Sequence, residues 1–462
     1  MLRISLKPIA ALVLLAFVLA ACGQASSTSA PTAAAPAPEA TKAPEATKAP
    51  AAEPTKAPEA TAAPEATAAP AAEPTKAPDP TPAPDALGSG STEIVIWHGW
   101  QGDYYEAIKK AFADYAGKNN VKITLLRVPD LNNKVQVAVP SGQGPDLIGW
   151  VDDQIGKNAL SGTIQPVDSL GITADYLKQN FTDVASAAMI YDGKVYGIPE
   201  SLEAITFIYN KKLIKEADLP KSTDDLLAKA KAYNGPDKYL FVYNPKDAYF
   251  SAPWWQGSGV TLVTPDGTTE LASDKALQAA NLIKSFSTIM PKEIDYGVAD
   301  TLFKEGKAAI IMNGPWAIAD YQKAGLDVGL AKIPVVSNSS QPGKPFVGVK
   351  LLMLAANAKN PQAAVELMKY YGSADVQAAL AKVNKQVPAN KAAQEQVKDD
   401  PIIAGFIGQA ANGVALPNTQ FIDAMWDPIA KTLEAIWSGA SPPEQAIKDG
   451  AALFNEKAQD LK

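Results

Sequence analysis

The run Ile94-Val95-Ile96-Trp97 is short, β-branched and apolar, and it opens into the loop His98-Gly99-Trp100-Gln101-Gly102, which is how a buried strand ends. Beyond the loop, Tyr104, Ile108, Ala111, Phe112 and Tyr115 recur at helical spacing, with Asp103 as the expected cap and Gly117 as the expected stop. Apolar runs at 121–128 and 145–150 predict two further strands. The alternation returns with strand candidates at 195–198, 205–209 and 308–312 and an amphipathic helix over 274–289. From Pro361 onward the spacing is mostly helical. Strands alternating with helices, without an internal repeat, predict an α/β fold, and the length from Thr92 to Lys462 predicts two lobes.

The pattern before Thr92 is of another kind. Arg3 and Lys7 precede an apolar stretch over 9–20 that ends in Ala21 and Cys22, the layout of an export signal too short to span a membrane. Leu19-Ala20-Ala21-Cys22 resembles the bacterial lipobox, which predicts that 1–21 is removed and that Cys22, the one cysteine, is lipidated. Residues 23–91 hold 14 of the 37 prolines, no aromatic residue and, alanine apart, Leu87 as the single aliphatic. The string AAEPTKAP occurs at 51–58 and again at 71–78. Such a segment cannot bury a core and predicts a disordered tether, with a reach of at most about 200 Å if fully extended.

Charge narrows the partners. The formal net charge is −7, and the tether contributes eight acidic residues against four lysines, so the remainder is close to balance and nucleic acid is not an expected partner. One histidine, His98, excludes a two-histidine metal site, and the absence of any cysteine after Cys22 excludes a zinc cluster. No phosphate-binding or dinucleotide glycine pattern occurs, so no cofactor is expected. His98 lies in a Gly/Trp/Gln loop, where hydrogen bonding within the loop is the expectation and a catalytic base is not. The remaining chemical resource is aromatic rings beside acids and amides: Trp100 with Gln101, Trp150 with Asp152 and Asp153, Tyr249 and Phe250 after Asp247, Trp254 and Trp255, Trp316, and Trp426 with Asp427. Trp150 and Trp316 both follow apolar strand candidates, where ligands collect in open α/β sheets. Sugars present flat C–H faces and a rim of hydroxyls, and rings edged by acids and amides complement both.

Six strings then match something specific: Ile94-Val95-Ile96-Trp97, Gly144-Pro145-Asp146-Leu147 followed by Trp150, Tyr191-Asp192-Gly193-Lys194, Ile208-Tyr209-Asn210-Lys211, Asn313-Gly314-Pro315-Trp316 and Lys344-Pro345-Phe346-Val347-Gly348-Val349. In the same order, over nearly all of residues 93–455, they resemble the maltose and maltodextrin (cyclodextrin) branch of the extracytoplasmic solute-binding proteins of ABC importers. The resemblance implies a type II periplasmic-binding-protein fold, two α/β lobes joined by hinge segments around a ligand cleft. It places one lobe at 92–202 plus about 352–397 and the other at about 203–347 plus 402–462. It implies an aromatic platform at Trp150, Tyr249, Phe250, Trp316 and Trp426, hydroxyl-binding acids at Asp153, Glu203 and Asp247, and no catalysis. It further implies a monomer at the outer face of the cell membrane, touching that membrane through the lipid alone and delivering an oligosaccharide to permease subunits driven by a cytoplasmic ATPase.

The chain departs from that pattern in places. The first loop is about two residues shorter and lacks an acidic and basic pair, Gln154 stands where an arginine is expected, and Asp427 where a tyrosine is. Losing a planar, multi-donor arginine removes a strong hydroxyl clamp, which bears on maltose more than on longer α-glucans. Trp100, Trp254 and Trp255 are extra aromatics that either cover sugar or pack the interior. Three rival readings follow: another oligosaccharide such as a β-glucan or trehalose, a glycoside hydrolase using two of Asp153, Glu203 and Asp247 at a separation of roughly 5–9 Å, and a surface adhesion protein.

Overall fold

The computed structural model describes residues 83–462, so the expected export signal, the lipidated Cys22 and the tether up to residue 82 lie outside the described residues. Two sheets carry the molecule. The larger has eight strands, in the order Asp85–Leu87, Val121–Arg127, Thr92–His98, Leu147–Val151, Phe346–Leu354, Gly197–Glu203 and Val387–Pro388, with Val414–Ala415 pairing the start of Phe346–Leu354. The smaller has four, in the order Val328–Ala331, Thr206–Asn210, Ala308–Asn313 and Tyr239–Val242. Every residue of Ala308–Asn313 is buried, because neighbouring strands and helices cover both of its faces.

The chain crosses from the larger sheet to the smaller directly after Glu203 and returns at Phe346. The helix Pro401–Ala410 packs against strands of both sheets, and beyond it Asp423–Ser438 and Pro443–Gln459 pack on Asp274–Phe286 beside the smaller sheet. Two ion pairs also link the two sides, Lys157 with Asp423 at 2.7 Å and Asp103 with Lys323 at 2.9 Å. The result is two α/β lobes with hinge segments between them.

Local boundaries differ from the expectation in three places. The helix Gly102–Asn119 runs past Gly117 and stops at Asn120, which adopts the left-handed conformation at φ 52°. Asp103 lies inside the first turn and not at the cap, and its carboxylate faces Lys323. The folded region begins before Thr92: Asp85–Leu87 is an antiparallel edge strand on Val121–Arg127. It is held there by Leu87, which is buried, by an ion pair from Lys109 to Asp85 at 3.0 Å, and by the hydroxyl of Tyr105 donating to Asp85. The expected tether 23–91 therefore gives up its last residues to the sheet. A protein beginning at Thr92 is expected to melt about 2–4 °C below one beginning at Ala83, the consequence of exposing Leu87 and its edge-strand contacts. Calorimetry on the two chains checks this, and equal melting temperatures would make the strand incidental.

Candidate ligand-binding cleft

The turn after Ala308–Asn313 is built to hold one ring. Asn313, fully buried, accepts from the Gly314 amide through Oδ1 at 2.8 Å and donates from Nδ2 to the Tyr321 hydroxyl at 2.8 Å, which in turn donates to Asp300 at 2.9 Å. Pro315 starts a 3-10 turn over Pro315–Ala317, where its fixed φ suits the first position. Gly314 is extended at φ −102°, so the backbone angle does not demand glycine. The ring does: a Cβ at Gly314 would lie 2.1 Å from the indole of Trp316, which folds back over it. The indole Nε1 donates to the Tyr296 hydroxyl at 3.2 Å.

Three more of the expected aromatics, Tyr249, Phe250 and Trp426, gather about this ring, the last through Phe346. Trp316 lies 6.4 Å from both Tyr249 and Phe250, Tyr249 stacks at 6.4 Å on Phe346, and Phe346 meets Trp426 edge-on at 6.2 Å. Trp316, Tyr249 and Trp426 are half-buried and keep ring surface to offer, while Phe250 is buried and backs them. Asp247 caps the helix Ala248–Gly257, its Oδ1 accepting from the amides of Tyr249 and Phe250 at 2.8 and 3.0 Å. One oxygen of this expected hydroxyl-binding acid is thus occupied in aiming the rings. Trp254 and Trp255, on the same helix, are fully buried and belong to the core, so they cannot cover a sugar.

On the other lobe, Trp150 is half-buried and lines a cavity of about 190 Å³ together with Gln101, Tyr104, Val151 and Lys350. Trp100 is 8% exposed and mainly packs the loop: it stacks on His98 at 4.6 Å and leans on Phe112 and Tyr371, with only an edge toward the cavity. His98 accepts from the Trp100 amide through Nδ1 at 3.1 Å, and burial beside Arg127 lowers its pKa to about 4, so it is a neutral support for the loop. Glu203 accepts from Lys350 at 2.8 Å and from Gln386, and its backbone carbonyl receives the Tyr249 hydroxyl at 3.4 Å. That contact joins the two lobes' contributions.

Asp152 and Asp153 follow Trp150 in a 3-10 turn. Asp152 is fully buried and accepts from the Val349 amide at 2.8 Å, tying the turn to Phe346–Leu354. Oδ1 of Asp153 is buried without a protein partner, and burial pushes its carboxyl up to about 7. A buried acceptor without a partner is costly unless something donates to it. Gln154 is buried at 4% exposure beside it. The sequence reading missed Phe346, Tyr296, Tyr104, Gln386 and Lys350. Lys350 had a signal, a lone charge in the apolar run FVGVKLLML; the others had none, because tyrosine, phenylalanine and glutamine at such positions are ordinary.

With this geometry in view, comparison with known proteins is informative. Residues 110–405 match the bacterial extracellular solute-binding protein family. The maltotriose-binding protein of Pyrococcus abyssi is 32% identical over 358 residues, 75% of this chain and 78% of that protein. A galactooligosaccharide-binding protein of Bacillus subtilis is 27% identical over 79% of this chain and 89% of its own. A maltooligosaccharide ABC transporter solute-binding lipoprotein of Streptococcus pneumoniae is 28% identical over 76% and 85%. A cyclo/maltodextrin-binding protein solved in complex with maltotetraose superposes with a TM-score of 0.72 at 31% identity, covering 81% of this chain and 99% of that one. The chain therefore belongs to the bacterial extracellular solute-binding proteins, and within them it resembles the maltodextrin-binding proteins of ABC importers. It has their type II fold, and it is a binding protein and not an enzyme, which removes the hydrolase reading.

Asp153 makes the stability of the fold pH-dependent. With a folded pKa near 7 against an ordinary 3.8, the folded state binds more protons than the unfolded chain between those values, so this group's contribution to stability falls as pH rises through that window. Replacing Asp153 with Asn is expected to raise the melting temperature of the protein by about 2–4 °C at pH 8 and by roughly a third as much at pH 5. Thermal melts of both proteins at the two pH values check this; a constant difference would mean that Asp153 does not titrate there.

Proposed function

We propose that the chain binds maltodextrins or related α-glucan oligosaccharides outside the cell and hands them to the permease of an ABC importer whose ATPase is cytoplasmic. Lipidated Cys22 and the tether hold it at the membrane, and it works as a monomer. The observation that carries the reading is the combination of half-buried rings, Trp150, Tyr249, Trp316 and Trp426, with a buried Asp153 oxygen that has no protein partner. A glucosyl chain supplies C–H faces for the rings and a hydroxyl for the acid. Contacts from both lobes to one ligand favour the closed arrangement, since differential affinity is what shifts such a population. The family match and the likeness to the maltotetraose-bound structure support the choice of ligand class.

A second reading keeps the fold and changes the sugar. It is favoured by the Bacillus subtilis relative, named for galactooligosaccharides, and by the neutral Gln154 standing where the resemblance leads one to expect an arginine.

Isothermal titration of the chain from Ala83 to Lys462 with maltose, maltotriose, a longer maltodextrin, α-cyclodextrin and a galactooligosaccharide separates the two. Tight binding of at least one α-glucan is expected, weakened by at least about tenfold in Trp316→Ala. Gly314→Ala is expected to weaken it as well, by pushing the ring off its seat. Heat with the galactooligosaccharide alone would install the second reading, and silence with every sugar would remove both. For the anchor, Cys22→Ser is expected to move the full-length protein from the membrane fraction to the soluble fraction in a bacterial host, and an unchanged distribution would argue against lipidation.

A further inference from the structure

Lys350 is the one charged residue of the strand Phe346–Leu354, and it sits where a charge is expensive. Its side chain is 20% exposed, with Nζ 2.8 Å from Glu203 Oε1 and 4.6 Å from the centre of the Tyr104 ring. The same side chain lines the cavity beside Trp150 and Gln101. A purely structural explanation is that Lys350 neutralises the acids beneath it, and two observations limit that explanation.

First, Glu200, the more deeply buried acid, draws its hydrogen bonds from elsewhere and takes only charge from Lys350. It accepts through Oε2 from the hydroxyls of Tyr104 at 2.6 Å and Ser201 at 2.7 Å; burial raises its pKa, and the charge of Lys350 opposes that rise without a hydrogen bond. Second, the strand pairing is bent at this point. Lys350 pairs with Ser201 and Leu351 with Pro199, which leaves Glu200 as the extra residue of a bulge, a device that re-aims side chains next to sites. What remains is an ammonium with one carboxylate partner and a carboxylate whose Oε1 is taken by Lys350 and Gln386. The other two ammonium protons and Glu203 Oε2 have no protein hydrogen-bond partner among the described residues; Lys350 lines the cavity with Trp150, and the Glu203 backbone carbonyl accepts from the Tyr249 hydroxyl.

We propose that Lys350 and Glu203 form a diol clamp: Nζ donates to one ring hydroxyl and Glu203 Oε2 accepts from the neighbouring one, fixing the sugar that lies on Trp150. Because the ammonium carries its own counter-ion, the clamp selects a neutral sugar over a uronate. The clamp rests on the oligosaccharide reading above and makes Lys350 a residue that sets which ring occupies this end of the cleft.

The test is titration calorimetry with maltotriose and a set of its monodeoxy analogues on wild type, Lys350→Met, Lys350→Arg and the double variant Lys350→Met/Glu203→Gln. Leaving Glu203 without a cation can prevent folding of the single Met variant, and the double variant, neutral at both positions, then carries the test. The expected result is a loss of about 10- to 100-fold for maltotriose in the Met variants, typical of a lost charge-assisted hydrogen bond, with partial recovery in Lys350→Arg. At least one deoxy analogue is expected to lose affinity for wild type yet bind wild type and the Met variant alike. Affinity within twofold of wild type in a folded Met or double variant, or a deoxy penalty that persists without Lys350, overturns the clamp while leaving the oligosaccharide reading intact. Failure of wild type to bind maltotriose or any of the other α-glucans removes α-glucan binding and the clamp together.

Discussion

The strand Phe346–Leu354 is the constraint on which the rest of the cleft hangs. It is hydrogen-bonded along both edges, to Leu147–Val151 on one side and Gly197–Glu203 on the other, so each of those neighbours is placed by the same backbone. Asp152 adds a third tie by accepting from the Val349 amide. By the two-residue period of a strand, Phe346 and Lys350 fall on one side of it, the first among the rings and the second in the cavity beside Trp150. A single element thereby sets the separation between an aromatic platform built largely from the other lobe and the acids at the end of its own sheet.

Those acids are managed in different ways, and the differences divide scaffold from site. Glu200 receives two hydroxyls on one oxygen, Glu203 is paired with a cation that remains partly exposed, and Asp153 keeps one oxygen buried without a protein donor. The first arrangement is that of a settled core. The other two leave hydrogen-bonding capacity that the protein itself does not use, at a cost in stability that a hydroxyl donor would offset. Rings and acids share supports as well: Asp247 aims Tyr249 and Phe250 through their amides, and the Asn313–Tyr321–Asp300 chain locks the turn that carries Trp316.

Much of this was legible in the chain. Runs such as Ala308–Asn313 are apolar because both faces of the strand are covered, and Gly-Pro-Trp after such a run marks a ring at a strand end. The edge strand Asp85–Leu87 was not legible, since three residues with one large aliphatic carry no period, and its surroundings read as tether. Trp254 and Trp255 read as possible sugar contacts because composition does not reveal which side of a helix faces inward. The need for glycine at 314 was not legible either, since it comes from the indole lying against it and not from the backbone angle.

What the sequence determined by itself is the order of its strands and helices, the absence of histidine and cysteine chemistry after Cys22, and a stock of aromatic and acidic residues near strand ends, because periodicity and composition are local properties. Tertiary structure alone decided which of those residues meet. Trp100, Trp150, Trp254 and Trp316 are the same side chain, yet two are fully or largely enclosed and two keep a free face. Lys350 finds Glu203 only because two strands about 150 residues apart in the chain are zipped together with a bulge between them. Burial and partnership depend on what the rest of the chain brings alongside, and no window of sequence contains that.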